Sequence, residues 1–124
     1  MDLTLWLHRR RLAKQHARGV QAIVAELGDS DLEVRVKAVT TLWGLSDRFT
    51  DAERPVAEQA LRTSAWSDED GWVRQAAAGS LGQLGDVRAL NPLRELVNRE
   101  RKDVVVKKTA NEAVAMLEYA QTAN

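Results

Sequence analysis

The sequence predicts an all-α fold, a right-handed α-α superhelix built as a short solenoid of about three helix pairs with an N-terminal capping helix. Three observations predict it. Ala, Leu, Arg, Glu and Gln dominate while aromatic residues are only 5% of the 124 positions, a mix that favours helix over strand. A pattern Asp-x-x-Val-Arg/Lys-x-x-Ala recurs three times. Each copy is preceded by a second amphipathic segment, so the unit is helix–turn–helix.

The first copy runs Asp31, Val34, Arg35, Ala38, Leu42, Leu45. The second is Asp70, Val73, Arg74, Ala77, Leu81, Leu84, and the third is Asp103, Val106, Lys107, Ala110, Val114, Leu117. At about 100° per residue, Val34, Ala38, Thr41, Leu42 and Leu45 fall on one helical stripe, which is read as core. The Asp three places before each valine suits a helix N-terminus, where a carboxylate accepts free backbone N–H groups. The leading helices are expected over 19–27, 51–65 and 87–98. Thr50 with Glu53 forms a capping box for the second, and Pro92 lies near the start of the third. Gly28 and the Leu84-Gly85-Asp86 turn supply stops. Ser30 and Ser67 are expected to cap or flank helix starts. One domain over 1–124 follows, divided as cap 1–18, repeat 1 at 19–47, repeat 2 at 48–86 and repeat 3 at 87–124.

The stretch from Ser67 to Leu93, with its Val-Arg-x-x-Ala-Ala, Leu-Gly-x-Leu-Gly-Asp and Arg-Ala-Leu runs, resembles the HEAT-like repeat first associated with phycobilisome lyases. The likeness extends over roughly 19–120. Copy one departs at Leu45-Ser46-Asp47 and by a longer linker, and copy three at Lys107, Thr109 and Asn111. The resemblance is specific for fold and poor for function, since such repeats serve lyase subunits and scaffolds alike. The repeat pattern and the lack of catalytic residues lead to a non-catalytic scaffold that binds another protein. The resemblance also implies the alternative of a bilin lyase-like or enzyme-accessory subunit. A further alternative is nucleic-acid binding through the basic first helix, as in HEAT-like DNA glycosylases.

Composition narrows the chemistry. No cysteine is present, which excludes disulfides, thiolate metal sites and a cysteine nucleophile. His8 and His16 are eight apart, not the i, i+4 spacing of a helical metal pair, so neither a metal nor another cofactor is expected. No serine sits in a nucleophile elbow, no phosphate loop is present, and Asp68, Glu69 and Asp70 are read as charge at a helix start. No apolar run approaches the roughly 18 residues of a membrane span, and the chain is expected to be cytoplasmic. Charge is zero overall but uneven: +4 over 1–25, −6 over 26–86 and +2 over 87–124. Such a layout suits self-association or polar partners. It offers no broad cationic footprint for nucleic acid, which is not expected as a partner. A membrane is not expected either, since a solvated face is the commoner outcome for a basic helix that could also meet a membrane surface or phosphate.

Function is therefore assigned to the outward face of each repeat's second helix. The candidate protein-binding residues are Val36, Val39, Thr40 and Trp43 from copy one, Trp72, Gln75 and Gly79 from copy two, and Lys108 and Glu112 from copy three. A Trp43 ridge beside an Ala78/Gly79/Gly82 trough could seat a partner helix or peptide. Residues 2–18 could instead fold over it as the cap. Arg10, Arg11, Lys14 and Arg18 form a candidate basic face on the first helix, whose Leu5, Leu12, Ala13, His16 and Val20 share the other side. Trp66 and Trp72 flank the second turn, either as a hot spot or as buried filling.

Overall fold

The computed structural model describes residues 2–123. Met1 and Asn124, the two ends of the expected domain, lie outside the described residues. Among the described residues every regular element is a helix, and no strand is present. The helices are α1 Leu3–Arg18, α2 Val20–Glu26, α3 Leu32–Gly44, α4 Glu53–Ser67, α5 Gly71–Leu84, α6 Leu90–Arg99 and α7 Val104–Thr122, with a 3-10 turn at Val87–Ala89 leading into α6. The even-numbered helices α2, α4 and α6 pack side by side as one layer. The odd-numbered α3, α5 and α7 pack as the second, and each pair closes across the layers. The result is an all-α solenoid.

Local chemistry sets the ends. Asp31, Asp70 and Asp103 each cap a second-layer helix by accepting from the backbone N–H of Glu33 (2.9 Å), Trp72 (2.8 Å) and Val106 (3.1 Å). Thr50 and Glu53 bond reciprocally, at 2.9 and 3.1 Å, as a capping box does. Gly85 closes α5 at φ 73°, a left-handed conformation that a side chain would strain. Ser67 does not flank a helix start: it is the last residue of α4 and donates to the Thr63 carbonyl at 2.8 Å.

The core stripe follows the repeat. Ala38, Leu42 and Leu45, then Val73, Ala77, Leu81 and Leu84, then Val106, Ala110, Val114 and Leu117 are buried. Full burial of each leucine or valine contributes about 1.5–3 kcal/mol. Val34 and Thr41 stay half-buried. Neither belongs to the buried set of α3, which is Arg35, Ala38, Val39 and Leu42.

Polar rungs join successive pairs. The Arg35 guanidinium, 7% exposed, donates to Asp68 in the next turn at 3.1 Å and to the carbonyls of Asp29 and Ser30 in its own turn at 2.9 and 3.2 Å. Arg74 repeats this one unit on, donating to Glu100 at 2.6 Å and to the carbonyls of Asp68 and Glu69 at 2.9 and 3.2 Å. The arginine of the repeat is thus a strut between turns. The third copy carries Lys107 at this register and Asn111 where α3 and α5 bury Val39 and Ala78; both are exposed. Glu118 there meets Arg94 at 3.6 Å. This polar face on α7 explains the departures of copy three at Lys107 and Asn111, which touch solvent, whereas Thr109 is half-buried against Gly79 of α5.

Another ion pair, Arg62 with the buried Asp86, ties α4 to the turn after α5. Beside it, burial, and then the Asp86 charge, push the Glu58 carboxyl above its ordinary range. A raised acid favours folding below its unfolded pKa and loses that contribution as pH rises through the folded value. Glu58→Gln is therefore expected to raise the urea midpoint at pH 7, with the gain shrinking as pH falls below the usual glutamate range. An equal gain at both ends would show that charge is not the cause.

Candidate functional site

The second layer carries a groove between α3 and α5. It is about 250 Å3, lined by Val39, Thr40 and Trp43 from α3 and by Ala76, Gly79, Ser80 and Gln83 from α5. Its lining is mainly apolar carbon. Small side chains on α5 make the depression, because Ala76, Gly79 and Ser80 leave room beside Trp43. Trp43 stays 50% exposed on its edge.

Of the nine residues expected on this face, the groove gathers Val39, Thr40, Trp43 and Gly79. Thr40, Trp72, Lys108 and Glu112 are exposed, and Val36, Gln75 and Gly79 are half-buried. Val39 is a correction: it is fully buried and forms floor rather than surface, because it points at α5. Trp72 is 63% exposed at the start of α5 and lies outside the groove lining. Lys108 and Glu112 sit one helix further along the same layer.

The expected Ala78/Gly79/Gly82 trough is not open. Ala78 is fully buried, and a Cβ added at Gly82 would lie 2.9 Å from Cα and Cβ of Ala113 on α7. The chain's own last helix fills that side of α5. The true wall of the groove, Ala76, Ser80 and Gln83, was missed on α5's other side. α5 touches α3, α4 and α7, and one helical wheel does not tell the two lateral neighbours apart. The signal available was the run Ala76-Ala77-Ala78, small on every side.

The first helix covers less than a full cap. Leu12 is its one buried side chain, at 9% exposure, and a Cβ at Gly44 would meet it at 3.1 Å. His16 meets Glu53 at 2.9 Å, tying α1 to the start of α4. These bonds, with the Thr50 N–H bond foremost, hold the Glu53 carboxyl below its ordinary range. Leu5 and Ala13, expected on the packed side, are exposed. A cleft of about 430 Å3 separates Leu5, His8 and Arg9 from Trp43, so α1 leaves the tryptophan edge open. On the basic face, Arg10, Arg11, Lys14 and Arg18 are all exposed. Arg10 lies over the Trp6 ring at 5.3 Å, and Arg18 pairs with Glu26 at 2.7 Å.

Trp66 and Trp72 do not act together. Trp66 lies on the first layer, stacked under the Arg99 guanidinium at 3.7 Å, beside a groove of about 490 Å3 between α4 and α6. Asp68, Glu69 and Asp70 are occupied by structure: Asp68 holds Arg35, Glu69 lies 3.6 Å from it, and Asp70 caps α5. Among the described residues no three of His, Cys, Asp and Glu gather as a metal site would require. No helix among them is long and apolar enough to cross a membrane.

The family model for HEAT repeats matches residues 20–115, from the start of α2 into α7. No curated protein matches the chain.

Proposed function

Since the chain belongs to the HEAT-repeat family, whose repeats commonly mediate protein–protein interactions, we propose that it is a non-catalytic adaptor that holds a peptide or helix of another protein on its second layer. The α3–α5 groove carries this reading. It is an apolar slot with a half-exposed tryptophan on its rim, the arrangement in which an anchor side chain is desolvated and a few contacts supply most of the affinity. Thr40 and Gln83, both exposed, give the rim polar groups that can fix register, while the buried Ser80 hydroxyl donates to the Ala76 carbonyl at 2.8 Å. Lys108 and Glu112 extend the face with charges of both signs. The phycobilisome-lyase type of repeat would require a bilin site instead. At about 250 Å3 this groove is below the roughly 300–1,000 Å3 of ordinary small-molecule sites, so it suits a peptide side chain better than a tetrapyrrole.

The test uses two substitutions on exposed groove residues. Thr40→Arg fills the slot with a long cation, and Trp43→Ala removes its rim. Each is expected to weaken partner binding about 30-fold in a quantitative pull-down, as loss of a hot spot of about 2 kcal/mol requires. Melting should move little. Retained affinity in both variants would place the binding surface elsewhere.

A further inference from the structure

The first nine residues of α1, Leu3–Arg11, are all exposed. Leu3, Leu5, Trp6 and Leu7 are 41 to 65% exposed, an apolar cluster on a helix that touches the solenoid mainly through Leu12 and His16 farther along. At about 100° per residue, Leu3, Trp6 and Leu7 fan over the outward side while Leu5 lies on the opposite one, toward the cleft. Leu3, Trp6 and Leu7 thus make an outward apolar face on the tip of α1 that stays exposed, while Leu5 lines the cleft toward Trp43.

A basic collar follows at once. His8, Arg9, Arg10, Arg11 and Lys14 are exposed, with no acidic residue between Leu3 and Arg18. The next sixty residues carry the opposite sign, −6 over 26–86. A negatively charged surface would attract α1 and repel the solenoid body behind it. A solvated basic face is the commoner outcome for such a helix, but here the apolar tip is exposed beside it.

We propose that α1 is a peripheral docking helix for an anionic lipid surface. Leu3, Trp6 and Leu7 enter the interface, and Arg9, Arg10, Arg11 and Lys14 meet the headgroup phosphates. Tryptophan and leucine beside basic residues are the composition of interfacial helices, and long basic side chains reach the headgroups while their stems lie along apolar surface. Docked this way, the α3–α5 groove stays available, since α1 does not cover Trp43.

The test is co-sedimentation of the full chain with vesicles of phosphatidylcholine containing about one-third phosphatidylglycerol, against pure phosphatidylcholine, at about 0.1 M and 0.5 M salt. Binding to the anionic vesicles alone, weakened by salt, is expected. A triple change of Arg9, Arg10 and Arg11 to Gln should lower it roughly 100-fold, at about a factor of five per basic residue near a charged surface. Leu3→Ser with Leu7→Ser should lower it at least about 10-fold at unchanged melting temperature. In a variant with Trp43, Trp66 and Trp72 replaced by phenylalanine, Trp6 emission should shift to the blue on anionic vesicles. No binding, equal binding to both vesicle types, or salt-sensitive binding to duplex DNA with none to vesicles would overturn the proposal.

Discussion

Arg35→Met lowers the unfolding free energy by about 3 kcal/mol, within the 3–5 kcal/mol typical when one member of a buried ion pair is removed. The side chains of Arg35 and Asp68 are 8% and 6% exposed, so the bare carboxylate left behind has little access to water. The carbonyls of Asp29 and Ser30 also lose their donor. Against a total of roughly 5–15 kcal/mol, this is a large share. Urea unfolding followed by circular dichroism measures it. Removing both charges, as Arg35→Met with Asp68→Asn, should recover part of the loss, because no unpaired charge then remains. The exposed Arg18–Glu26 pair is the internal contrast: Arg18→Met should cost no more than about 0.5 kcal/mol. A loss below about 1 kcal/mol for Arg35→Met would mean that the rung behaves like a surface pair.

Gly82→Ala destabilises the chain, and Gly79→Ala stabilises it, although both glycines lie inside α5. Alanine gains about 1 kcal/mol over glycine in a helix interior at either place. At Gly82 the new methyl would stand 2.9 Å from the Cα of Ala113, so backbone must move. Overpacking of that kind costs about 1–3 kcal/mol, and a net loss of about 1 kcal/mol is expected. Gly82→Val should lose more. At Gly79 the nearest atom is the Thr109 methyl at 3.4 Å, an ordinary contact, so a gain of about 0.5–1 kcal/mol survives. Thermal melts should separate the two variants by several degrees in opposite directions. The same sign for both would mean that the α5–α7 approach is looser than the structure gives it.

These two predictions mark what the sequence made legible. The caps at Asp31, Asp70 and Asp103, the Thr50–Glu53 box and the Gly85 stop are local events, decided within four or five residues, and they stand as read. The core stripe was legible because its period is that of one helix. Lateral packing was not. Val39 reads as outward on the wheel of α3, yet α5 covers it. Ala78 and Gly82 read as a trough for a partner, yet Ala113 fills it, because small residues invite whichever helix comes near. Arg35 and Arg74 were visible as repeat letters, but their role as struts needs the acid of the following turn, 33 and 26 residues on. The exposure of the α1 tip was illegible for a related reason. Leu5 and Leu12 share a side, and only the placement of Gly44 decides that Leu12 alone is buried.

The binding face depends most on those lateral contacts, since the groove is the gap left where α3 and α5 do not quite meet. Its occupancy is measured most directly by site-specific photo-crosslinking of the full chain. A photoreactive side chain at Thr40, in the groove, is compared with one at Asn98, exposed on α6 in the other layer. The account predicts a protein adduct from position 40 that disappears when Trp43→Ala is added, and no such adduct from position 98. An adduct that forms equally from both positions, or that survives Trp43→Ala undiminished, would contradict the assignment of the α3–α5 groove as the docking site.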